Sequence, residues 1–171
     1  FKIDKNNGCS PLSISIDNDS EGGITNYYWF WDFNEGDALG DADATGSSPG
    51  STTYLNSAGS NRIDTLTLIV SNGNCFDTLK RPITVYSSVT ADFTPQNAAG
   101  CNPLDVNFTN QSDSWANIFT WDFDDGGTSN LENPSHTFTN SGSSDAVFDV
   151  NLAIETVNGC THDTTFPVRV Y

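Results

Sequence analysis

The chain has 171 residues, and six basic side chains against 22 acidic ones give it a formal net charge of −16. Such a field repels phosphate backbones and anionic lipid surfaces, which argues against nucleic acid or membranes as partners. No apolar run approaches the length of about 18 residues that a membrane span needs, and 12 % aromatic residues distinguish the chain from a disordered acidic tail. We therefore expect a folded, monomeric fragment of a longer protein, without membrane insertion.

The chain repeats itself at half-length. Three pairs of similar segments carry the repeat: GCSPLSISI and GCNPLDVNF (residues 8–16 and 100–108), WDFNEG and WDFDDG (31–36 and 121–126), NGNCFDT and NGCTHDT (72–78 and 158–164). Self-similarity of this kind marks a duplicated structural unit. The sequence therefore predicts two domains, residues 1–87 and 88–171.

Within each copy the apolar residues alternate with polar ones. This period of two runs from Leu12 to Ile16 in the first copy and from Leu104 to Phe108 in the second, as in half-buried strands. Long apolar runs at 64–70 and 147–157 are each followed by Asn-Gly, a hairpin signal. Since no segment has a helical period, we predict an all-β fold. Each domain is expected to be an immunoglobulin-like antiparallel β-sandwich of about seven strands.

Strand alternation also divides the repeated hexapeptides between two faces. It places four aromatic residues on the core face of the first domain, Tyr27, Trp29, Trp31 and Phe33. Three lie on the core face of the second, Phe119, Trp121 and Phe123. The intervening Asp32 and Asp122 then point outwards, where each is expected to bond a neighbouring strand or turn.

WDFDDG, followed by PSHTF at residues 134–138, resembles the PKD domain, an immunoglobulin-like sandwich first named from polycystin. The resemblance implies that His136 forms a hydrogen bond that pins the loop after the hexapeptide. The first copy departs from the family pattern, because Asn34 and Glu35 replace its usual Gly and Asp, and Thr52 stands where the second copy has His136.

The four cysteines fall two to a copy, at matching positions. Four cysteines allow three pairings, and only Cys9 with Cys75 and Cys101 with Cys160 keeps each domain self-contained. We therefore predict one disulfide within each domain. Disulfides imply an oxidising compartment, so the protein is expected outside the cell or on its surface.

The acids of the repeated motif allow two interpretations. Some PKD domains bind calcium through the loop before the W-D-F strand and the hexapeptide turn, and oxygen ligands at loop tips suit that ion. The resemblance thus implies Ca²⁺ as a cofactor, with these candidate ligands: Asp17, Asn18, Asp19, Glu35 and Asp37 in the first domain, Asn110, Asp113, Asp124 and Asp125 in the second. The alternative is that the acids are solvated or cap tight turns through their own backbone.

No assembled catalytic site is expected. The only two histidines, His136 and His162, lie in the second copy, which excludes a repeated Ser-His-Asp or Cys-His site. A small two-layer sandwich also rarely offers the groove that paired glycosidase carboxylates need. We therefore interpret the chain as non-enzymatic.

Tandem copies carrying Cys and NGC…DT hairpins are similar to repeats of giant secreted adhesins in Bacteroidota-type bacteria, including those that coat gliding cells. The resemblance implies a stalk or spacer segment on the bacterial outer surface, linked to gliding motility, with neighbouring repeats as its partners. The alternative is an accessory module of a secreted hydrolase, which would bind extracellular polysaccharide or a surface protein. An exposed aromatic row would favour that module, and Tyr28, Phe30 and Trp115 are its candidates.

Overall fold

The structure is a computed structural model that describes residues 1–32 and 37–171. It divides into two compact units, Phe1–Ser87 and Ser88–Tyr171. Among the residues singled out from the sequence, Phe33, Asn34 and Glu35 lie outside the described ranges.

The first unit consists of two sheets. Its strands in chain order are β1 Lys2–Ile3, β2 Asn7–Cys9, β3 Leu12–Asp17, β4 Asn26–Phe30, β5 Ala44–Thr45, β6 Ser51–Tyr54, β7 Arg62–Ser71 and β8 Phe76–Tyr86. In the described ranges they form a three-stranded sheet in the order β1-β3-β6 and a five-stranded sheet in the order β2-β8-β7-β4-β5. A 3₁₀ turn, Leu39–Asp41, lies between β4 and β5.

The second unit repeats this arrangement. Its strands are β9 Phe93–Pro95, β10 Ala99–Gly100, β11 Leu104–Asn110, β12 Ala116–Asp122, β13 Thr128–Ser129, β14 Ser135–Phe138, β15 Ala146–Thr156 and β16 Thr161–Val170. They form sheets in the orders β14-β11-β9 and β10-β16-β15-β12-β13. The prediction of two all-β, immunoglobulin-like sandwiches is therefore confirmed.

One pairing in each unit differs from a purely antiparallel sandwich. β2 runs parallel to the end of β8, with Cys9 beside Tyr86, and β10 runs parallel to the end of β16, with Gly100 beside Val170. The short strands β2 and β10 thus cover only the last three residues of β8 and the last two of β16 at that edge of each five-stranded sheet.

The core of each unit is built around one tryptophan. In unit 1 it is Trp29, which is fully buried and packs edge-on against Phe1 with ring centroids 5.2 Å apart. In unit 2 it is Trp121, which packs edge-on against Phe93 at 4.9 Å. Both indole N–H groups donate to a backbone carbonyl of the following loop, at 3.0 Å and 2.9 Å. Trp29 and Trp121 therefore occupy the same place in the fold.

This equivalence differs from the alignment of the two hexapeptides, which places Trp31 on Trp121. Trp31 is only half-buried and packs against the margin of the core. The offset between Trp29 and Trp121 is 92 residues (121 − 29), the same as between Phe1 and Phe93, whereas the hexapeptides are 90 apart (121 − 31). The two similar hexapeptides therefore occupy positions in the fold that differ by two residues.

The glycine before the first cysteine of each unit has a packing role. A Cβ at Gly100 would lie 2.6 Å from Leu104 Cδ1, and one at Gly8 would lie 2.7 Å from Leu12 Cδ1. Both leucines are buried, so their side chains have little room to move. The Gly-Cys pair is thus explained by close contact with the core.

Replacing Gly100 with Ala is expected to lower the free energy of unfolding of unit 2 by roughly 1 kcal/mol, because the added methyl forces Leu104 to shift in a packed interior. Urea denaturation measures this. Gly40→Ala is the control, since its Cβ would meet nothing within 4 Å. Equal losses for the two variants would contradict the packing explanation.

The predicted disulfides within each domain are wrong. Cys75 and Cys101 carry free, exposed thiols, whereas Cys9 and Cys160 are disulfide-bonded. The reason is the length of the last strand of each unit. Cys9 lies beside Tyr86 at the end of β8, and Cys75 immediately precedes its start. Eleven strand residues span about 33 Å at about 3.3 Å per residue, whereas the Cα atoms of a disulfide lie at most about 7 Å apart.

The same separation applies in unit 2, where Cys101 follows β10 at the end of β16 and Cys160 precedes the start of β16. We expect the native chain to react with two equivalents of a thiol reagent such as Ellman's reagent, at Cys75 and Cys101. Peptide mapping after alkylation checks which thiols reacted. A chain without reactive thiols, in which mapping joins Cys9 to Cys75 and Cys101 to Cys160, would restore the pairing within domains.

Candidate functional site

The hexapeptide of unit 2 forms a tight turn after β12, and its first acids hold the backbone of that turn. The Asp122 carboxylate accepts a hydrogen bond from the Asp124 amide at 3.0 Å. Asp124 has a φ of 63°, a left-handed conformation that Asp tolerates better than most residues, and Gly126 follows with a φ of 88°. The outward Asp122 therefore bonds its own turn, as an Asx turn does.

Asp124 also bonds the neighbouring strand. Its Oδ2 accepts the amide of Asp149 at 3.0 Å. β12 ends at Asp122, which pairs with Asn151 of β15, so Asp149 lies beyond the last paired residue. The carboxylate thus replaces the strand partner that this amide would otherwise lack.

Asp125 joins the turn to the strand β14. Its Oδ1 accepts the amide of Gly127 at 2.9 Å, and its Oδ2 lies 2.7 Å from Nε2 of His136. The imidazole stacks on Phe123 with ring centroids 4.1 Å apart and planes 6° from parallel. A Cβ on Gly127 would lie 2.6 Å from His136 Cε1, so this position accepts only glycine without displacement of the ring. We call Phe123, Asp125, Gly127 and His136 the turn clamp.

The turn clamp changes the acidity of its carboxyl group. Partial burial alone would raise the pKa of Asp125, but the hydrogen bonds from His136 and from the Gly127 amide outweigh it and lower that pKa. The ionised carboxylate is therefore the form that the clamp stabilises.

Unit 1 has no histidine at the position that His136 occupies in the turn clamp. Thr52 pairs with Ile14 as His136 pairs with Val106, so a threonine stands at the position of the imidazole. The amide of Trp31 donates to Asp43 Oδ2 at 2.7 Å, whereas the amide of Phe123 donates to the Gly127 carbonyl at 3.0 Å. A side chain of the longer first loop thus replaces the backbone carbonyl of the second hexapeptide turn.

One further acidic residue near this region, Asp64, is not among the site residues predicted from the sequence. Asp64 is buried, and its Oδ1 accepts hydrogen bonds from Nε and Nη2 of Arg62 at 2.8 Å and 2.7 Å. Burial, together with the carboxylates of Asp64, Asp32 and Asp43, raises the pKa of Tyr54, whose hydroxyl donates to the Trp31 carbonyl at 3.0 Å. The spacing of Arg62 and Asp64 on one strand face was the available signal.

The predicted calcium ligands of the second loop hold the chain where it enters unit 2. Asp113 Oδ2 accepts the amide of Thr90 at 2.8 Å, and Asn110 Oδ1 accepts the amide of Ser112 at 3.1 Å. Ser112 Oγ in turn accepts the amide of Asp92 at 3.1 Å. These oxygens are already occupied by backbone N–H groups of the unit.

Two of the corresponding residues of unit 1, Asp19 and Asn18, are also engaged in internal bonds. Asp19 pairs with the amino group of Phe1 at 2.7 Å and with Lys2 Nζ at 3.1 Å. Asn18 Oδ1 accepts the amide and the hydroxyl of Ser20 at 3.1 Å and 2.6 Å. Asp17 is exposed at the end of β3, and Asp37 lies in the loop before the 3₁₀ turn.

Within residues 1–32 and 37–171, no three His, Cys, Asp or Glu side chains gather as a metal site would require. The described residues thus do not fit the predicted calcium ion, and the structure supports their alternative role as turn caps. Calcium binding itself stays a prediction from the sequence.

We expect the melting temperature of the chain to be unchanged by EDTA and then by excess Ca²⁺, because six of the eight candidate ligands that the structure describes already accept internal hydrogen bonds or ion pairs. Differential scanning calorimetry measures this, with Mg²⁺ as the control ion. A rise with Ca²⁺ alone would demonstrate binding to the native state.

The candidate aromatic platform is largely covered. Trp115 is half-buried and donates from Nε1 to the Ser88 carbonyl at 3.0 Å, so it caps the end of unit 2. Phe30 is buried and Tyr28 half-buried. These three side chains do not present the exposed row that a sugar-binding face needs.

Residues 88–170 match the model of the PKD domain family. The PKD match covers the unit that carries the turn clamp. The comparison with curated proteins found no relative. In the part of the chain that the structure describes, no helix has the length and apolar character of a membrane span.

Three solved structures are similar to parts of the chain. The PKD1 domain of the Vibrio cholerae metalloprotease PrtV is 26 % identical over 48 % of this chain and 96 % of its own, with a TM-score of 0.40. The PKD1 domain of Vibrio anguillarum Epp is 24 % identical over 49 % and 94 %, with a TM-score of 0.40. A carbohydrate-binding module of the β-sandwich superfamily is 23 % identical over 49 % and 34 %, also with a TM-score of 0.40.

Proposed function

We propose that this chain is a non-catalytic structural segment of a large secreted or cell-surface protein. In this role two PKD-like units act as a stalk or spacer that holds a binding region away from the surface. We further propose that the parent protein is a bacterial adhesin of the kind found on gliding cells.

The observation that carries the proposal is the use of the motif's polar groups. Asp122, Asp124, Asp125 and His136 are all engaged in hydrogen bonds within unit 2 that fix a turn to its neighbouring strands. A catalytic carboxylate pair would instead face a groove large enough for its substrate. The signature of the second unit therefore serves the fold, which supports a structural role.

Duplication supports the same conclusion. The two units have the same strand order, and the boundary between them falls between consecutive residues, Ser87 and Ser88. The Ser87 hydroxyl accepts the Gly59 amide at 3.0 Å in unit 1, and the Ser88 carbonyl accepts the Trp115 indole at 3.0 Å in unit 2. Both sides of the junction are thus ordered parts of their own units, as a spacer requires.

Retention on a panel of insoluble polysaccharides tests the proposal against the accessory-module alternative. A spacer is expected to stay in solution, with or without Ca²⁺. Retention on one polysaccharide, abolished by free oligosaccharide, would replace the spacer with the binding module. A known carbohydrate-binding module of similar size serves as the positive control.

Location is tested separately with antibodies raised against the chain. Labelling of intact cells is expected if the parent protein lies on the outer surface, and labelling only after permeabilisation would contradict it. Further copies of the unit in the parent sequence would support a stalk, whereas an adjacent catalytic domain would support the module.

A further inference from the structure

Each unit carries one cysteine at each end of its last strand. We call Cys9 and Cys101 the tail cysteines, because they lie at the end of β8 and of β16 respectively. Cys75 and Cys160 are the hairpin cysteines, because they immediately precede the start of those strands. The two cysteines of a unit are thus held about 30 Å apart by a strand of ten or eleven residues.

The backbone environment is similar in both copies for each kind of cysteine, although Cys160 is buried and Cys75 exposed. Beside the tail cysteines, the amide of Ser10 donates to the backbone carbonyl of Tyr86 at 3.0 Å, and the amide of Asn102 donates to that of Tyr171 at 3.2 Å. The carbonyl groups of the hairpin cysteines both close a hairpin loop. Cys75 accepts the amide of Asn72 at 3.3 Å, and Cys160 accepts that of Thr156 at 2.9 Å.

The two cysteines of each kind nevertheless differ in oxidation state. One tail cysteine, Cys9, and one hairpin cysteine, Cys160, are disulfide-bonded. Their counterparts Cys101 and Cys75 are free and exposed. Both positions of the repeat are therefore shown to be competent for disulfide formation, and one of each remains without a partner.

We propose that Cys75 and Cys101 are linkage sites for further copies of this repeat. Cys101 forms a disulfide with a hairpin cysteine of another copy, and Cys75 forms one with a tail cysteine of another copy. The inference deepens the proposed function as a segment of a tandem array and rests on it.

The chemistry needs an oxidant, and a disulfide such as oxidised glutathione supplies it. The thiolate of one cysteine attacks oxidised glutathione and releases one reduced glutathione, leaving a mixed disulfide. The thiolate of the second cysteine then attacks the protein sulfur of that mixed disulfide and releases the second glutathione. Two protein thiols are oxidised, one glutathione disulfide is reduced, and both protons pass to the released thiols.

The test is a duplicated chain in which Tyr171 is joined to Phe1 of a second copy through the chain's own segment Ser87–Asp92. Without a new bond it contains four free thiols, two from each copy (2 + 2). We expect two after oxidation with glutathione. Peptide mapping is expected to find Cys101 of the first copy bonded to Cys75 of the second.

Cys101→Ser in the first copy is the matched control. It is expected to leave three free thiols and to remove the cross-linked peptide, while the melting temperature of the reduced chain stays unchanged because the position is exposed. Four remaining thiols, or a bond between two cysteines of the same kind, would overturn the inference. Because polysaccharide retention and cell-surface labelling do not depend on these thiols, the spacer role can fail or stand independently.

Discussion

Replacing Trp29 with Ala is expected to lower the free energy of unfolding of unit 1 by about 3–5 kcal/mol, the usual loss for a buried Trp. The substitution removes a fully buried indole, its packing on Phe1 and its hydrogen bond to Gly46. A small domain has little more stability than this to lose, so unit 1 is expected to be largely unfolded. Amide NMR signals of unit 1, followed in urea, measure the effect.

Trp31→Ala is the matched control for this substitution. Trp31 begins the repeated hexapeptide but is only half-buried, so we expect a smaller loss of about 1–2 kcal/mol. Trp121→Ala is expected to destabilise unit 2 as strongly as Trp29→Ala destabilises unit 1. If Trp31→Ala were the more damaging change in unit 1, the equivalence of Trp29 and Trp121 would be wrong.

Replacing His136 with Ala is expected to lower the free energy of unfolding of unit 2 by roughly 2–3 kcal/mol, through loss of a charge-assisted hydrogen bond and of stacking on Phe123. The His136 and Asp125 side chains are 21 % and 23 % exposed, so solvent weakens their bond only in part. A double-mutant cycle with Asp125→Ala is expected to give a coupling free energy of about 1 kcal/mol. Additive losses would show that the two side chains act separately.

The same bond predicts a dependence on pH. The pKa of Asp125 is lowered in the folded chain, so the stabilisation is fully present above the unfolded value of about 3.9. It is lost as the pH falls through the lower, folded value. We expect the acid limb of the stability curve of unit 2 to be shallower in Asp125→Asn than in the wild type. Urea midpoints between pH 7 and pH 2 measure this, and identical acid limbs would contradict the lowered pKa.

The sequence was sufficient for the fold because the repeat and the period of two both survive in the structure. Strand β7, Arg62–Ser71, extends the first long apolar run (64–70) by two residues at its start and one at its end, and β15, Ala146–Thr156, is shifted by one residue from the second (147–157). The wrong equivalence of Trp31 with Trp121 came from aligning the two similar hexapeptides instead of keeping the spacing of the repeat. The constant offset of 92 already paired Trp29 with Trp121.

The disulfide prediction failed for a different reason. It assumed that a self-contained domain brings its two cysteines together, and the sequence gives no sign that β2 runs parallel to the end of β8. Three residues, Asn7–Cys9, carry no periodicity from which their direction could be inferred. Likewise the Asp125–His136 bond joins residues from different strands, and only the resemblance to the PKD family suggested that His136 has a partner.

The short outermost strands affect how the protein avoids aggregation while it is synthesised and folds. In the described chain every strand at a sheet margin has two to four residues, whereas the inner strands β7, β8, β15 and β16 have ten or eleven. Long unpaired edge strands would let adjacent, nearly identical units of one polypeptide pair with each other before each has folded. The outermost strands themselves offer few backbone groups to a wrong partner, but they pair with only three residues of β8 and two of β16. Over the rest of these long strands, the charged side chains and the proline that each contains, Pro82 and Pro167, hinder pairing with a neighbouring copy.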